Sequence, residues 1–85
     1  YEHALEILND TDFGLTAGII TQSLATASDF KKRAVSGCVM VNLPTAGTDY
    51  HVPFGGRKAS SFGPREQGQY AREFYTTVKT SYLQA

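Results

Sequence analysis

Two short, almost uninterrupted apolar runs constrain this chain more than anything else in it. LTAGIIT, residues 15–21, is rich in β-branched and small side chains, and CVMVN, residues 38–42, is nearly all apolar. Continuous rather than alternating apolar runs of this length mark strands covered on both faces. Between them Leu24, Ala27, Phe30 and Ala34 lie on one stripe, while Asp29, Lys31, Lys32 and Arg33 face elsewhere. That pattern predicts an amphipathic helix of about 13 residues, with Gly37 where a C-terminal cap belongs. Strand, helix, strand is a βαβ unit, so the fold class is α/β with a parallel sheet joined by a right-handed crossover. Two parallel strands are too few for an independent sheet, so the pattern implies neighbouring strands from residues outside the 85 given.

The flanking segments are of a different kind. Tyr1, Ala4, Leu5 and Leu8 repeat at helical spacing before the turn cluster Asn9-Asp10-Thr11-Asp12 and Gly14, which predicts a short first helix. The chain opens at Tyr1 inside that helix without an initiator methionine, and a fragment of a longer protein is expected. From Leu43 to Gly63 the sequence LPTAGTDYHVPFGGRKASSFG has turn formers and no sustained period, and structureless stretches of that length are usually functional. Gly63-Pro64 predicts a new helix with proline at its first position, Glu66 in its first turn, and Tyr70, Ala71, Phe74 and Tyr75 on its apolar face. TTVKTSYL then alternates, with Val78, Thr80 and Tyr82 on one side, the pattern of a half-exposed strand. An exposed terminal strand invites pairing with another chain.

Bulk properties exclude several classes of function. Eight basic and eight acidic residues cancel, so no long-range field favours nucleic acid or an anionic membrane. Neither kind of partner is expected, and no apolar run approaches a membrane span. A chain of this length buries only about 60% of the surface its unfolded form exposes, enough for one small core. A single cysteine, Cys38, excludes an internal disulfide and suits a reducing cytosol, so a cytoplasmic location is expected. With His3 and His51 as the only histidines, a zinc site lacks ligands.

Each chemical candidate has a structural alternative. The glycine-rich stretch lacks the spacing of a phosphate-binding loop, since neither G-x-x-x-x-G-K-[ST] nor G-x-G-x-x-G after a strand is present. Cys38 sits in an apolar strand without a basic neighbour to lower its pKa, which favours a buried structural thiol over a nucleophile. His51 has no acid or serine partner nearby in sequence. Glu66, beside Arg65 after a glycine turn, reads either as a paired structural carboxylate or as a proton carrier.

Taken in order, NDTDFGLTAGIIT, GCVMVN, PFGGRKASS and REQGQYAREFYTTVKT resemble the C-terminal end of the aldehyde dehydrogenase superfamily across nearly the whole chain. The resemblance implies oxidation of an aldehyde to a carboxylate with NAD or NADP. In that chemistry a cysteine thiolate adds to the carbonyl, hydride leaves to the cofactor, and a glutamate activates the water that cleaves the thioester. The nucleophile, that base and the cofactor site are implied upstream of these residues, with Cys38 at a position that carries no catalytic residue. Residues 1–76 would then be the last part of the catalytic domain, and residues 77–85 an oligomerisation strand of a homodimer or homotetramer. Phe54 of PFGG is implied to line the aldehyde passage, between Pro53 and the pair Gly55-Gly56. Glu66 is implied to hold or relay protons to the hydrolytic water, Asn42 to support the catalytic loop, and Val78, Thr80 and Tyr82 to lie at a subunit interface.

Two departures from the pattern K-x-S-G-x-G-R-E stand out. One extra residue lies between Lys58 and Arg65, and Ser61 stands where the pattern has glycine. Thr77 replaces a glutamate that pairs with the arginine in some members, so a different anchor for Arg65 is expected. The PTAG segment ahead of HVPFGGRK is similar to the semialdehyde dehydrogenases of sugar-acid breakdown, such as the α-ketoglutarate semialdehyde enzymes. Arg57 is accordingly a candidate to attract an anionic substrate tail. Without upstream partners, the alternative is a structural or oligomerisation module with no activity of its own.

Overall fold

A computed structural model describes all 85 residues. Helix α1 (Glu2–Asn9) buries Leu5, and α2 (Leu24–Arg33) buries Phe30, with Ala34 buried just past its end. The Ser23 hydroxyl caps α2 by accepting from the Thr26 N–H, and Lys31, Lys32 and Arg33 complement the negative end of its dipole. Strands β2 (Thr16–Ile19) and β3 (Cys38–Val41) flank α2 and pair in parallel, with Ala17 opposite Val39 and Ile19 opposite Val41.

Because side chains alternate along a strand, Ala17, Ile19 and Val39 share one face of this pair, and they pack with Leu5, Leu8, Phe30 and Ala34 in the core. Burying each large apolar side chain of such a cluster contributes roughly 1.5–3 kcal/mol. The opposite face, bearing Gly18, Cys38 and Met40, meets the long loop instead. A Cβ on Gly18 would lie 2.9 Å from a Thr45 methyl, and the Cys38 thiol points at the Gly55 carbonyl, 3.7 Å away.

A second, smaller sheet ties that loop down. Strands β1 (Phe13–Gly14) and β4 (Arg57–Lys58) pair antiparallel, with Gly14 opposite Arg57. The Lys58 ammonium donates to the carbonyls of Asn9 (2.6 Å) and Thr11 (2.7 Å) just beyond α1. There it satisfies free carbonyls at the negative end of that helix.

Several sequence expectations are corrected. The crossover helix has 10 residues, not about 13, and Leu24 at its start is 82% exposed. Gly37 is not its cap, which is Ala34 in an extended conformation. Residues 15–21 are not covered on both faces, because Gly18 and Ile20 are exposed. The helix expected at Pro64 starts later, as a 3-10 turn at Gly68–Tyr70 followed by α3 (Ala71–Tyr75), neither of which buries a residue. Glu66 is held in extended pairing, and Gln67 (φ 65°) and Gly68 (φ 55°) stand in left-handed backbone that cannot propagate a helix. Glu66 therefore receives no helix dipole.

Nor do residues 76–85 pair as a strand, and Val78 (98%) and Tyr82 (96%) are exposed. Alternation specifies a face to be buried, but no edge among these 85 residues receives it. The radius of gyration, 17.1 Å, exceeds the roughly 12 Å of a compact chain of this length.

Candidate functional site

The segment from Phe54 to Glu66 folds back on itself around two glycines. Phe54 and Glu66 exchange both backbone hydrogen bonds, each 2.8 Å from N to O, as an isolated antiparallel bridge. Directly opposed residues of such a pair direct their side chains to one face. The Phe54 ring and the Glu66 carboxylate, both half-buried, accordingly line one cleft of about 220 Å³ with Phe62, Pro64 and Phe74.

Gly55 and Gly56 are buried beneath this cleft, and an added side chain at either would crowd the segment that follows. A Cβ on Gly55 would stand 2.8 Å from the Arg65 guanidinium, and one on Gly56 would stand 2.6 Å from the Ser60 Cβ. Contacts under about 3 Å leave no room for a methyl group. Gly37 completes the nest, since a Cβ there would fall 1.8 Å from the Gly55 carbonyl oxygen. Gly14 is buried as well, donating its N–H to the Ser60 hydroxyl (2.9 Å) and accepting from Gly37 N–H (2.9 Å).

Arg65 donates to the Gly56 carbonyl. Its anchor is thus the glycine pair, as the threonine at position 77 led one to expect of a different partner. The Gly56 N–H is taken by the Ser61 hydroxyl at 2.6 Å. With that donor committed, the Gly56 N–H is not free for the pyrophosphate of a nicotinamide cofactor, which is held by free N–H groups.

Arg57 lies outside this arrangement: it is exposed on β4 and does not line the cleft. Asn42 lies at the other end of the loop, where it closes β3 in left-handed backbone at φ 57°. Its amide accepts from Thr21 N–H and donates to Thr21 carbonyl, both at 2.8 Å, tying the exits of β2 and β3 together. Cys38 and His51 are not drawn into the cleft; His51 packs edge-on against Tyr50. Among the residues 78, 80 and 82, no contact with the cleft is made.

Sequence reasoning missed Asn9, Lys58, Ser60 and Ser61. Asn9 mirrors Asn42, accepting from Val35 N–H (2.8 Å) and donating to Arg33 carbonyl (2.9 Å). The two serines directly follow the glycine-rich turn, where short hydroxyl side chains bond nearby backbone; that signal was available.

A polar cluster far from the cleft joins the first helix to the second. Arg33 pairs with Glu2 (2.6 Å) and Asp29 (3.0 Å), and the Tyr1 hydroxyl donates to Asp29 at 2.6 Å. The Arg33 hydrogen bond holds the Glu2 carboxyl below its ordinary pKa, and the Tyr1 hydrogen bond, then Arg33, does so for Asp29. No group of histidine, cysteine and carboxylate side chains suits a metal ion, and no helix is long and apolar enough to cross a membrane.

Comparison with known proteins places this geometry. The aldehyde dehydrogenase family pattern matches residues 1–81. An α-ketoglutaric semialdehyde dehydrogenase of Bacillus subtilis is 42% identical over 82 residues, which are 96% of this chain and 17% of that protein. An α-ketoglutarate semialdehyde dehydrogenase of Haloferax volcanii is 43% identical over 83 residues, again 96% of this chain and 17% of that protein. The crystal structure of a Sinorhizobium meliloti protein described as a methylmalonate-semialdehyde dehydrogenase, complexed with NAD, superposes with a TM-score of 0.84 at 35% identity. That superposition covers 93% of this chain and 16% of the other. The chain therefore spans about a sixth of the length of the relatives it matches.

Proposed function

Since the chain belongs to the aldehyde dehydrogenase family, we propose that it is one wall of the substrate passage in an enzyme that oxidises an acidic semialdehyde to a dicarboxylate. The supporting observation is the reciprocal Phe54–Glu66 bridge, which presents an aromatic ring and a carboxylate on the same face of one cleft. Phe54 supplies an apolar surface against which the carbon chain of the aldehyde is oriented. Glu66 accepts and returns a proton from water at the acyl carbon, acting as an accessory to a base supplied upstream.

NAD or NADP, bound by upstream residues, is the hydride acceptor. The thiolate nucleophile is likewise upstream. Arg57, exposed on β4, attracts the anionic tail of the substrate at the mouth of the passage rather than beside Phe54. Residues 1–76 complete the catalytic domain, and residues 77–85 complete a sheet with a neighbouring subunit in a cytoplasmic dimer or tetramer. The isolated 85 residues, with only eight of them buried, form a non-catalytic module that acquires activity within the longer chain.

Rapid-mixing kinetics of the complete enzyme test the role of Glu66. Glu66→Gln is expected to slow steady turnover by tenfold or more while the first burst of reduced cofactor persists, because only deacylation needs the proton carrier. Loss of burst and steady rate together would show that Glu66 serves folding alone. In the same assays Arg57→Ala should raise KM for an acidic aldehyde more than for a neutral one; equal effects would refute the tail contact.

A further inference from the structure

Adjacent serines after the glycine turn reach in opposite directions. Ser60 accepts from the Gly14 N–H on β1, whereas Ser61 accepts from the Gly56 N–H across the cleft floor. Arg65, four residues further on, takes the Gly56 carbonyl. Both backbone groups of one buried glycine are thus gripped by side chains of the segment that follows it.

Gly56 has no side chain of its own, so its N–H and carbonyl are the groups through which side chains hold its peptide, while Ser60 and Gly37 pack against it. Phe54 precedes it by two residues and is paired on its other side with Glu66. We propose that Ser61 is a positioning residue for aldehyde binding: by holding the Gly56 N–H it sets the place of the Phe54 ring in the substrate passage. The inference rests on the reading of Phe54 as a passage wall given above. It goes beyond that reading because a glycine at position 61 has no side-chain hydroxyl to offer, so the Gly56 N–H is held here by a side-chain bond that the K-x-S-G-x-G-R-E pattern lacks. Removal of the hydroxyl leaves a part-buried donor unpaired and frees the Gly56 peptide to shift.

Three variants of the complete enzyme test this with steady-state kinetics. Ser61→Ala is expected to raise KM for the aldehyde at least fivefold, to lower kcat by less than twofold and to leave KM for the nicotinamide cofactor unmoved. Ser61→Thr, which keeps the hydroxyl, should restore the aldehyde KM to within twofold of the parent value. Phe54→Ala reports on the underlying reading. If Phe54→Ala raises the aldehyde KM and Ser61→Ala does not, the clamp is wrong and the passage wall stands. If neither variant moves it, both fail. Hydrogen exchange of the peptide from Phe54 to Arg57 gives a second readout that survives a loss of stability. Faster exchange confined to that peptide in Ser61→Ala supports the clamp, and uniform acceleration across residues 1–85 overturns it.

Discussion

Gly37→Ala tests how firmly the glycine-rich loop is seated on the sheet. A methyl group at position 37 would lie 1.8 Å from the Gly55 carbonyl oxygen and 2.7 Å from the Gly56 Cα. Both obstacles are backbone, so no rotamer change relieves them. To restore even a tight carbon–oxygen contact of about 3 Å, the Gly55 peptide must retreat by more than about 1 Å. Gly55 also carries the Arg65 guanidinium on its other side, and the Cys38 thiol faces its carbonyl. The retreat therefore disturbs packing on both sides, at a cost of about 2–3 kcal/mol, the upper part of the usual range for overpacked interiors. If Phe54 lines the substrate passage as proposed, a displacement of about 1 Å beside its ring also lowers catalytic efficiency, on the order of 10²-fold. Denaturant unfolding and kcat/KM of the complete enzyme measure the two effects. Gly47→Ala is the control: Gly47 has φ 84° but no atom within 4 Å of an added Cβ, so it suffers only the strain of left-handed backbone, about 1 kcal/mol. Equal destabilisation by the two substitutions, or unchanged kcat/KM in Gly37→Ala, would refute the close-approach argument.

Two further outcomes follow from the same structure. Asn42→Gly keeps a residue suited to φ 57° but removes both bonds to Thr21, so it should destabilise by about 1–2 kcal/mol, and Asn42→Ala by more, since alanine adds the left-handed penalty. Chemical denaturation that ranks alanine at or below glycine would contradict the clip. Glu2 and Asp29 have folded-state pKa values depressed by their hydrogen bonds, so their stabilising contribution is fully present above the ordinary carboxylate pKa of about 4 and is lost as pH falls through the lower folded values. Arg33→Met should lower stability near neutral pH by the small amount expected of exposed pairs, an amount that salt erases, and the difference from the parent should vanish as the carboxylates protonate in acid, flattening the profile in that window. An acid profile identical to that of the parent would show that the cluster does not couple to folding.

Elements whose cause is local were readable in the residues. Leu5 and Leu8 at helical spacing mark α1, and the apolar runs at 16–19 and 38–41 mark the two strands, because periodicity and side-chain branching act over a few residues. Phe54 and Glu66 were singled out, but their adjacency was not, since a bridge between residues 12 positions apart leaves no periodic trace. The late start of α3 was hidden for the opposite reason. Gly63-Pro64 carries a genuine helix-start signal, and a long-range pairing of Glu66 overrode it. The role of Gly37 was misread because a glycine after a helix is the same letter whether it caps the helix or lets a neighbouring backbone pass. At the C-terminus the alternation of Val78, Thr80 and Tyr82 is present, but a strand is defined by its partner as much as by its own sequence.

The contacts that seat the loop have a consequence for the order in which this region folds. Lys58 reaches Asn9 across 49 positions, and Ser60 reaches Gly14 across 46. Contacts so distant along the chain form only after the intervening segment has been ordered, because their loop-closure entropy must be met first. The crossover of β2, α2 and β3 can assemble from neighbours, whereas the glycine nest must wait for both ends to arrive. The Phe54–Glu66 cleft is thus seated only after both ends of the segment are in place, so a slip at residues 9–14, at its far end, would be felt there.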